Sequence, residues 1–197
     1  RARDVAAELL DIHARRAAKP GCAMLSESAE YDTFARPFPF EETEDQATAI
    51  EQTLHDMSLA KPMDRVVCGD VGFGKTEVAM RAAFTAANNS LQTAILVPTT
   101  LLAQQHFQNF SDRFADWPMR VEVLSRFVSA KRQKQIIEDT ATGQVDILIG
   151  THKLLQKSLV YKDLGLVIID EEQHFGVGQK ERLKELRGDI HVLTLSA

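Results

Sequence analysis

Cysteine is scarce: Cys22 and Cys68 are the only two in 197 residues. They form no Cys-x-x-Cys pair, which excludes a disulfide framework and the usual zinc knuckle. The six histidines show no ligand spacing either, so a structural metal is not expected. Long apolar runs are also missing. None approaches the roughly 18 residues that a membrane span requires. The first twenty residues carry four arginines, two aspartates and a glutamate without an apolar segment, so they do not read as a secretion signal. A reducing, cytoplasmic setting with no membrane contact is the expectation. Positive charge is not in excess, with 23 Lys+Arg against 28 Asp+Glu and a net charge of −5. Such a chain does not grip nucleic acid by bulk electrostatics, so any such contact must come from a local patch. Internal repeats and low-complexity tracts are absent.

What is present is ordinary for a soluble globular protein: 44% hydrophobic and 26% charged residues. The length suits one sizeable core with an appendage. Because the chain begins at Arg1 and ends on the strand-like "VLTLSA", it is expected to be a piece of something longer. Asp4 to Ala18 reads as an amphipathic helix with Val5, Leu9 and Ile12 on one face, ended by "KPG". A less regular stretch follows to about Pro39, giving an expected linker region at 1–37 ahead of a main domain at 38–197. Ala47, Ile50, Leu54 and Met57 then mark a helix. Short apolar runs recur at Arg65–Cys68, Ala94–Val97, Val121–Leu124, Asp146–Ile149, Leu166–Ile169 and Val192–Leu195. Helical patterns lie between several of them, notably Ala103, Phe107, Phe110 and Phe114. Near-continuous apolar strands separated by helices predict an α/β fold with a parallel sheet covered on both faces.

Into this pattern falls "VVCGDVGFGKTEVAM", with three glycines inside six residues. Glycine costs backbone entropy in regular structure, so the cluster needs a reason. Gly69-x-x-x-x-Gly74-Lys75-Thr76 is the P-loop spacing, and it sits between a strand-like and a helix-like run as that motif requires. The backbone N–H groups of Gly69, Asp70, Val71, Gly72, Phe73, Gly74, Lys75 and Thr76 are then expected to wrap phosphates at a helix N-terminus. Lys75 is expected at the β- and γ-phosphates and Thr76 on Mg²⁺. The bland alternative is a glycine-rich turn with an exposed lysine.

A second carboxylate site comes from "LGLVIIDEEQ", where an apolar strand delivers Asp170 and Glu171 to its C-terminal end, the edge at which such sheets bind ligands. Asp170 is expected to act on Mg²⁺, and Glu171 to orient or activate the attacking water. An acidic first turn on a following helix is the plainer reading. Upstream, Phe40-x-x-Thr43-x-x-Gln46 offers an amide able to donate and accept at once, as reading adenine demands. Phe38 or Phe40 is placed to stack on the base, while Thr43 is also a helix N-cap candidate.

In chain order, "FEETEDQ", "GDVGFGKT", "VPTTLLAQQH", "SRF", "GTHKLL", "DEEQ" and "TLSA" resemble the motif series of superfamily-two helicases and translocases over about residues 38 to 197. Within that series, "DRVVCGDVGFGKTEVAMRAAF", "ILVPTTLLAQQHFQNF" and "DILIGTHKLLQ" are similar to the transcription-repair coupling family, with the fork-remodelling RecG family as its nearest relative. The resemblance implies a first RecA-like motor lobe that uses ATP and Mg²⁺ on double-stranded DNA. It also implies RNA polymerase and excision-repair proteins as partners, met through other domains. Asp4–Ala18 stands where that family carries a helix linking a polymerase-binding module to the motor.

By the same resemblance, Thr99, Thr100, Arg126, Thr151 and His152 hold DNA phosphates. Gln173 couples the γ-phosphate to the DNA, alone or with His174, which stands where the family usually has arginine; Gly178 replaces a commonly basic position. Arg120, Arg126, Lys131, Arg132 and Lys134 against a lone Glu122 make a local basic segment, either part of that DNA face or a solvated helix face. Alternatives to the motor are a P-loop phosphotransferase and a non-catalytic ATP-binding module. In the resembled family a second lobe supplies an arginine finger worth about 10³–10⁵ in rate, so this chain alone is expected to hydrolyse ATP weakly.

Overall fold

The computed structural model describes residues 7, 10–11, 14, 21–39, 41–69 and 73–196. Of the expected helix Asp4–Ala18, only Ala7, Leu10, Asp11 and Ala14 are among them, and all are helical; the rest of that segment lies outside the described residues. So do Phe40, Asp70, Val71 and Gly72.

Six parallel strands form one sheet: β1 (Asp64–Cys68), β2 (Gln92–Leu96), β3 (Val121–Leu124), β4 (Ile147–Gly150), β5 (Leu164–Asp170) and β6 (His191–Ser196). Their order is β1-β6-β5-β2-β4-β3. The chain therefore crosses over β6 and β5 in going from β1 to β2, and returns later to fill that gap. All six apolar runs read from the sequence are strands here, and Val121–Leu124 matches to the residue.

Alternation of side chains divides the core into two layers. Ile95, Val97, Ile147, Ile149, Ile168 and Leu193 point to one face, where α2 (Glu44–Ser58), α3 (Phe73–Asn88) and α4 (Thr100–Arg113) pack. Ala94, Leu96, Leu148, Val167, Ile169 and Val192 point to the other, with Ile136 of α5 (Ala130–Ala141) and Leu183 of α6 (Val177–Arg187). Burial on both faces is why these strands read as unbroken apolar runs rather than alternating ones.

The stretch read as irregular contains a short helix, α1 (Ala29–Ala35). The Ser28 hydroxyl caps it by accepting from the Tyr31 N–H, and Glu30 and Asp32 in its first turn favour the positive end of the dipole. Phe34 is fully buried, stacked on Phe84 of α3 with centroids 4.3 Å apart. Met24 joins the same core cluster. Further upstream, buried His191 receives the Met63 N–H at Nδ1 (2.8 Å) and donates from Nε2 to the Cys22 carbonyl (2.6 Å). Residues 21–35 are thus stitched to β6 and α3.

On α4 the observed buried stripe is Ala103, His106 and Phe110, with Phe114 at the C-cap. Phe107 is half-buried. The expected pattern placed Phe107 where the helix phase puts His106, because three-residue and four-residue steps both keep a face.

Candidate nucleotide site and nucleic-acid face

The strand order brings the two ends of the proposed chemistry together. Cys68 of β1 pairs with Ser196 of β6, and Asp170 of β5 pairs with Leu195 of β6. Only β6 therefore separates the P-loop strand from the strand that delivers Asp170, at about 4.8 Å per strand step.

At that junction the Ser196 carbonyl accepts from the Gly69 N–H (3.2 Å) and from Lys75 Nζ (3.1 Å). The neighbouring Leu195 carbonyl accepts from the Glu171 N–H (3.3 Å). Glu171 itself lies in the left-handed region, at φ 52° and ψ 49°. That backbone costs a side-chain-bearing residue about 1–3 kcal/mol and persists only where the surroundings enforce it, which is typical of functional sites. Here it turns the chain off the strand immediately after Asp170. Thr76 and Lys75 are half-buried in the first turn of α3. Asp170 is hydrogen-bonded on Oδ2 by His106 Nε2 at 2.9 Å, a residue that the motif reading did not single out.

The set fits a magnesium nucleotide. Among the described residues, Lys75 is held by a backbone carbonyl that a phosphate oxygen can replace, Thr76 offers a hydroxyl, and His106 engages one oxygen of Asp170, leaving the other for a hard cation.

Beside Thr76 lies a cavity of about 310 Å³ lined by Phe38, Pro39, Glu77, Met80, Asn109, Asp112 and Arg113. Its size falls at the lower end of small-ligand pockets. Of the two aromatics considered for base stacking, Phe38 lines it. A larger open cleft of about 990 Å³ runs between residues 25–27 and α2, but no motif residue lines it, so size does not mark the site.

Gln46 adjoins the P-loop from the other side. It and Thr43 form a capping box on α2, with the Thr43 N–H donating to Gln46 Oε1 at 2.9 Å. Its Nε2 packs so close to Gly74 that a Cβ at residue 74 would run into it.

The wall of the cavity is a buried charge network. Glu77, 4% exposed, accepts from Arg81 Nε (2.9 Å) and Arg113 Nη2 (2.8 Å). Arg81 also pairs with Glu42 at 2.5 Å. Burial works against the Arg81 charge, but its hydrogen bonds to Glu77 and Glu42 outweigh that and push its pKa above the ordinary arginine value. Segment 38–42, α3 and α4 are locked together there.

The other half of the sheet ends in the residues expected at DNA. Thr99 and Thr100 follow β2, Arg126 follows β3, and Thr151 and His152 follow β4, all at the C-terminal edge. Thr99 is exposed and caps α4 by accepting from the Leu102 N–H. Arg126 and His152 are exposed, the former over the Phe127 ring. Thr151 is buried at 5% exposure, so its side chain is not offered to a partner as the others are.

The local basic segment is smaller than its charge count suggested. Arg120 is bonded to Glu122 and Asp139, and Arg132 to Glu122. The Arg120 guanidinium in turn holds the Asp139 carboxyl below the usual carboxylate range. That leaves Arg126, Lys131 and Lys134 of the original five outside these ion pairs. Gln173 and His174 are both exposed in a short 3-10 turn (Glu172–His174), with His174 Nε2 4.0 Å from Glu171 Oε2.

Comparison with known proteins agrees with this layout. The DEAD/DEAH box helicase model matches residues 43–197. The chain belongs to that helicase family. It is 64% identical over 195 residues to the transcription-repair-coupling factor of Haemophilus influenzae and 62% identical to that of Escherichia coli. Each alignment covers 99% of this chain and 17% of the relative. The counterpart in Staphylococcus aureus is 51% identical. The chain thus spans about a sixth of the length of these relatives. Among solved structures, RecG bound to a three-way DNA junction superposes with a TM-score of 0.82 at 34% identity, covering 95% of this chain and 25% of that one. The helicase-family chain has a RecA-like α/β fold, with the Gly69–Thr76 and Asp170–Glu171 motifs on neighbouring parts of one sheet edge. No helix among the described residues is long and apolar enough to cross a membrane.

Proposed function

We propose that this chain is the first motor lobe of an ATP-driven translocase on double-stranded DNA, one that displaces stalled RNA polymerase and couples transcription to excision repair. The observation that carries the motor reading is the junction at β6, where Lys75 Nζ donates to the Ser196 carbonyl and the Glu171 N–H to the Leu195 carbonyl, the last two of one strand. In this reading Lys75 exchanges the Ser196 carbonyl for the β- and γ-phosphates, and Thr76 and Asp170 hold Mg²⁺. Bound Mg²⁺ neutralises phosphate charge as it builds up in phosphoryl transfer. Glu171 orients the attacking water. Gly69 to Thr76 supply backbone N–H groups, Phe38 (or Phe40) packs on the base, and Gln46 reads its edge. Thr99, Thr100, Arg126 and His152 contact phosphates without reading sequence, and Thr151 contributes through its backbone. Gln173, beside His174, relays the γ-phosphate state. RNA polymerase and repair proteins are met through other parts of the coupling factor.

Identity favours coupling over fork remodelling, at 64% to a coupling factor against 34% to RecG. The test is Lys75→Ala in the full-length coupling factor that carries this lobe. Duplex-stimulated ATP hydrolysis is expected to disappear with the fold intact, since the lysine meets the charge that develops at the γ-phosphate. Turnover like that of the wild type refutes the assignment.

A further inference from the structure

Asp170 is held by His106, the last residue of the "VPTTLLAQQH" stretch, to which no role was assigned above. His106 lies in the second turn of α4, 7% exposed, on the buried stripe between Ala103 and Phe110. Its Nε2 is 2.9 Å from Asp170 Oδ2. An ionised carboxylate only accepts, so the proton sits on Nε2 and the imidazole donates. The Phe110 ring packs edge-on at 6.3 Å, and Nδ1 is buried with no hydrogen-bond partner among the described residues. Leucine or phenylalanine would fill this stripe without leaving a polar atom unpaired. The one polar task the imidazole performs here is to hold Asp170.

We infer that His106 is a positioning residue for the metal-binding carboxylate. By engaging Oδ2 it fixes the rotation of the Asp170 side chain and leaves Oδ1 for the Mg²⁺ that accompanies nucleotide. The inference rests on the motor reading above. Outer partners that orient a metal ligand are typically worth about 10- to 100-fold in metal affinity or activity. Helix α4 also starts at Thr99 and Thr100, about 10 Å from His106 along its axis at 1.5 Å per residue. One rigid element therefore carries both a candidate DNA contact and the orientation of the metal ligand.

The experiment measures the Mg²⁺ concentration that half-saturates binding of a fluorescent methylanthraniloyl-ADP, in the wild type, His106→Leu and His106→Gln. Leucine keeps the volume without the donor, while glutamine returns an N–H near the Nε2 position. The expected result is a Mg²⁺ midpoint raised about tenfold or more by leucine and largely restored by glutamine. An unshifted midpoint in a folded His106→Leu overturns the inference, as does equal impairment by both substitutions, which marks a packing role. If the wild type binds no nucleotide at any Mg²⁺ concentration, the motor reading itself falls, and the inference with it. The wild-type ring gives a measurement independent of variant folding. Its Nε2-bound proton should shift in the nitrogen-correlated spectrum when Mg²⁺ is added to the ADP-loaded protein, and an unmoved signal refutes the role.

Discussion

Phe34→Ala tests whether the region ahead of the main domain is part of the core or only rests on it. Phe34 is fully buried, 4.3 Å from Phe84, 4.9 Å from Phe114 and beneath the Arg113 guanidinium, also at 4.3 Å. An aromatic side chain that buries about 150–200 Å² is worth about 4–5 kcal/mol at 25 cal/mol per Å². Partial collapse of the cavity reduces that figure and lost ring stacking adds to it. Measured Phe→Ala costs in cores run about 3–5 kcal/mol, so about 4 kcal/mol is the expected loss. For a domain of this size that corresponds to a melting temperature lower by about 8–16 °C. Trp117 is the only tryptophan and packs edge-on against both Phe84 (4.8 Å) and Phe34 (6.0 Å), so its fluorescence reports on this cluster directly. Urea unfolding followed at Trp117 gives the number. A change below about 0.5 kcal/mol, in the range of ordinary surface substitutions, refutes the integrated core and makes α1 a peripheral strap.

Glu171→Gln keeps the shape and hydrogen bonding of the side chain but removes its basicity, so nucleotide should bind normally while turnover falls about 10²-fold or more; single-turnover hydrolysis separates the two. Gly74→Ala should cost about 1 kcal/mol, because the new Cβ pushes Gln46 off the α2 capping box, yet become neutral or stabilising when Gln46 is also alanine. The same cost in both backgrounds, by chemical unfolding, would show that Gln46 is not what the methyl meets. His191→Leu removes the hydrogen bonds to the Met63 N–H and the Cys22 carbonyl and should cost about 1–3 kcal/mol in urea unfolding, whereas a loss near zero would mean that those bonds add little.

The sheet was legible because its strands are local in sequence and the central ones, β2, β4, β5 and β6, are buried on both faces, so composition marks them. The Gly69–Thr76 and Asp170–Glu171 patterns stand out in the sequence because they are contiguous, and the strand order brings the strands that precede them to either side of β6. Helix α1 was not legible. Seven residues give too few turns for a periodic signal, and what buries Phe34 lies some fifty and eighty residues away, at Phe84 and Phe114. His106 was missed because its partner is 64 residues distant. A signal did exist, since it stands three residues after Ala103 and four before Phe110, a titratable side chain in phase with an apolar stripe. The basic segment was overcounted because Asp139, which neutralises Arg120, is contributed by the far end of α5.

Under the proposed motor reading, the sheet order gives one short strand end a way to register nucleotide. β6 enters the sheet last, between the strand that precedes the P-loop and the strand that carries Asp170. Its final carbonyl, at Ser196, has two donors: the Gly69 N–H and Lys75 Nζ. A lysine ammonium cannot serve that carbonyl fully and also move onto the β- and γ-phosphates. In the proposed reading nucleotide would take Lys75, leaving Ser196 one donor instead of two while the adjacent Leu195 carbonyl keeps the Glu171 N–H. The loss would fall at Ser196, the end of β6 and part of the "TLSA" stretch of the motif series. On the proposed motor reading, phosphate would be sensed through the backbone at the end of β6, beside the left-handed turn at Glu171 whose N–H bonds the Leu195 carbonyl.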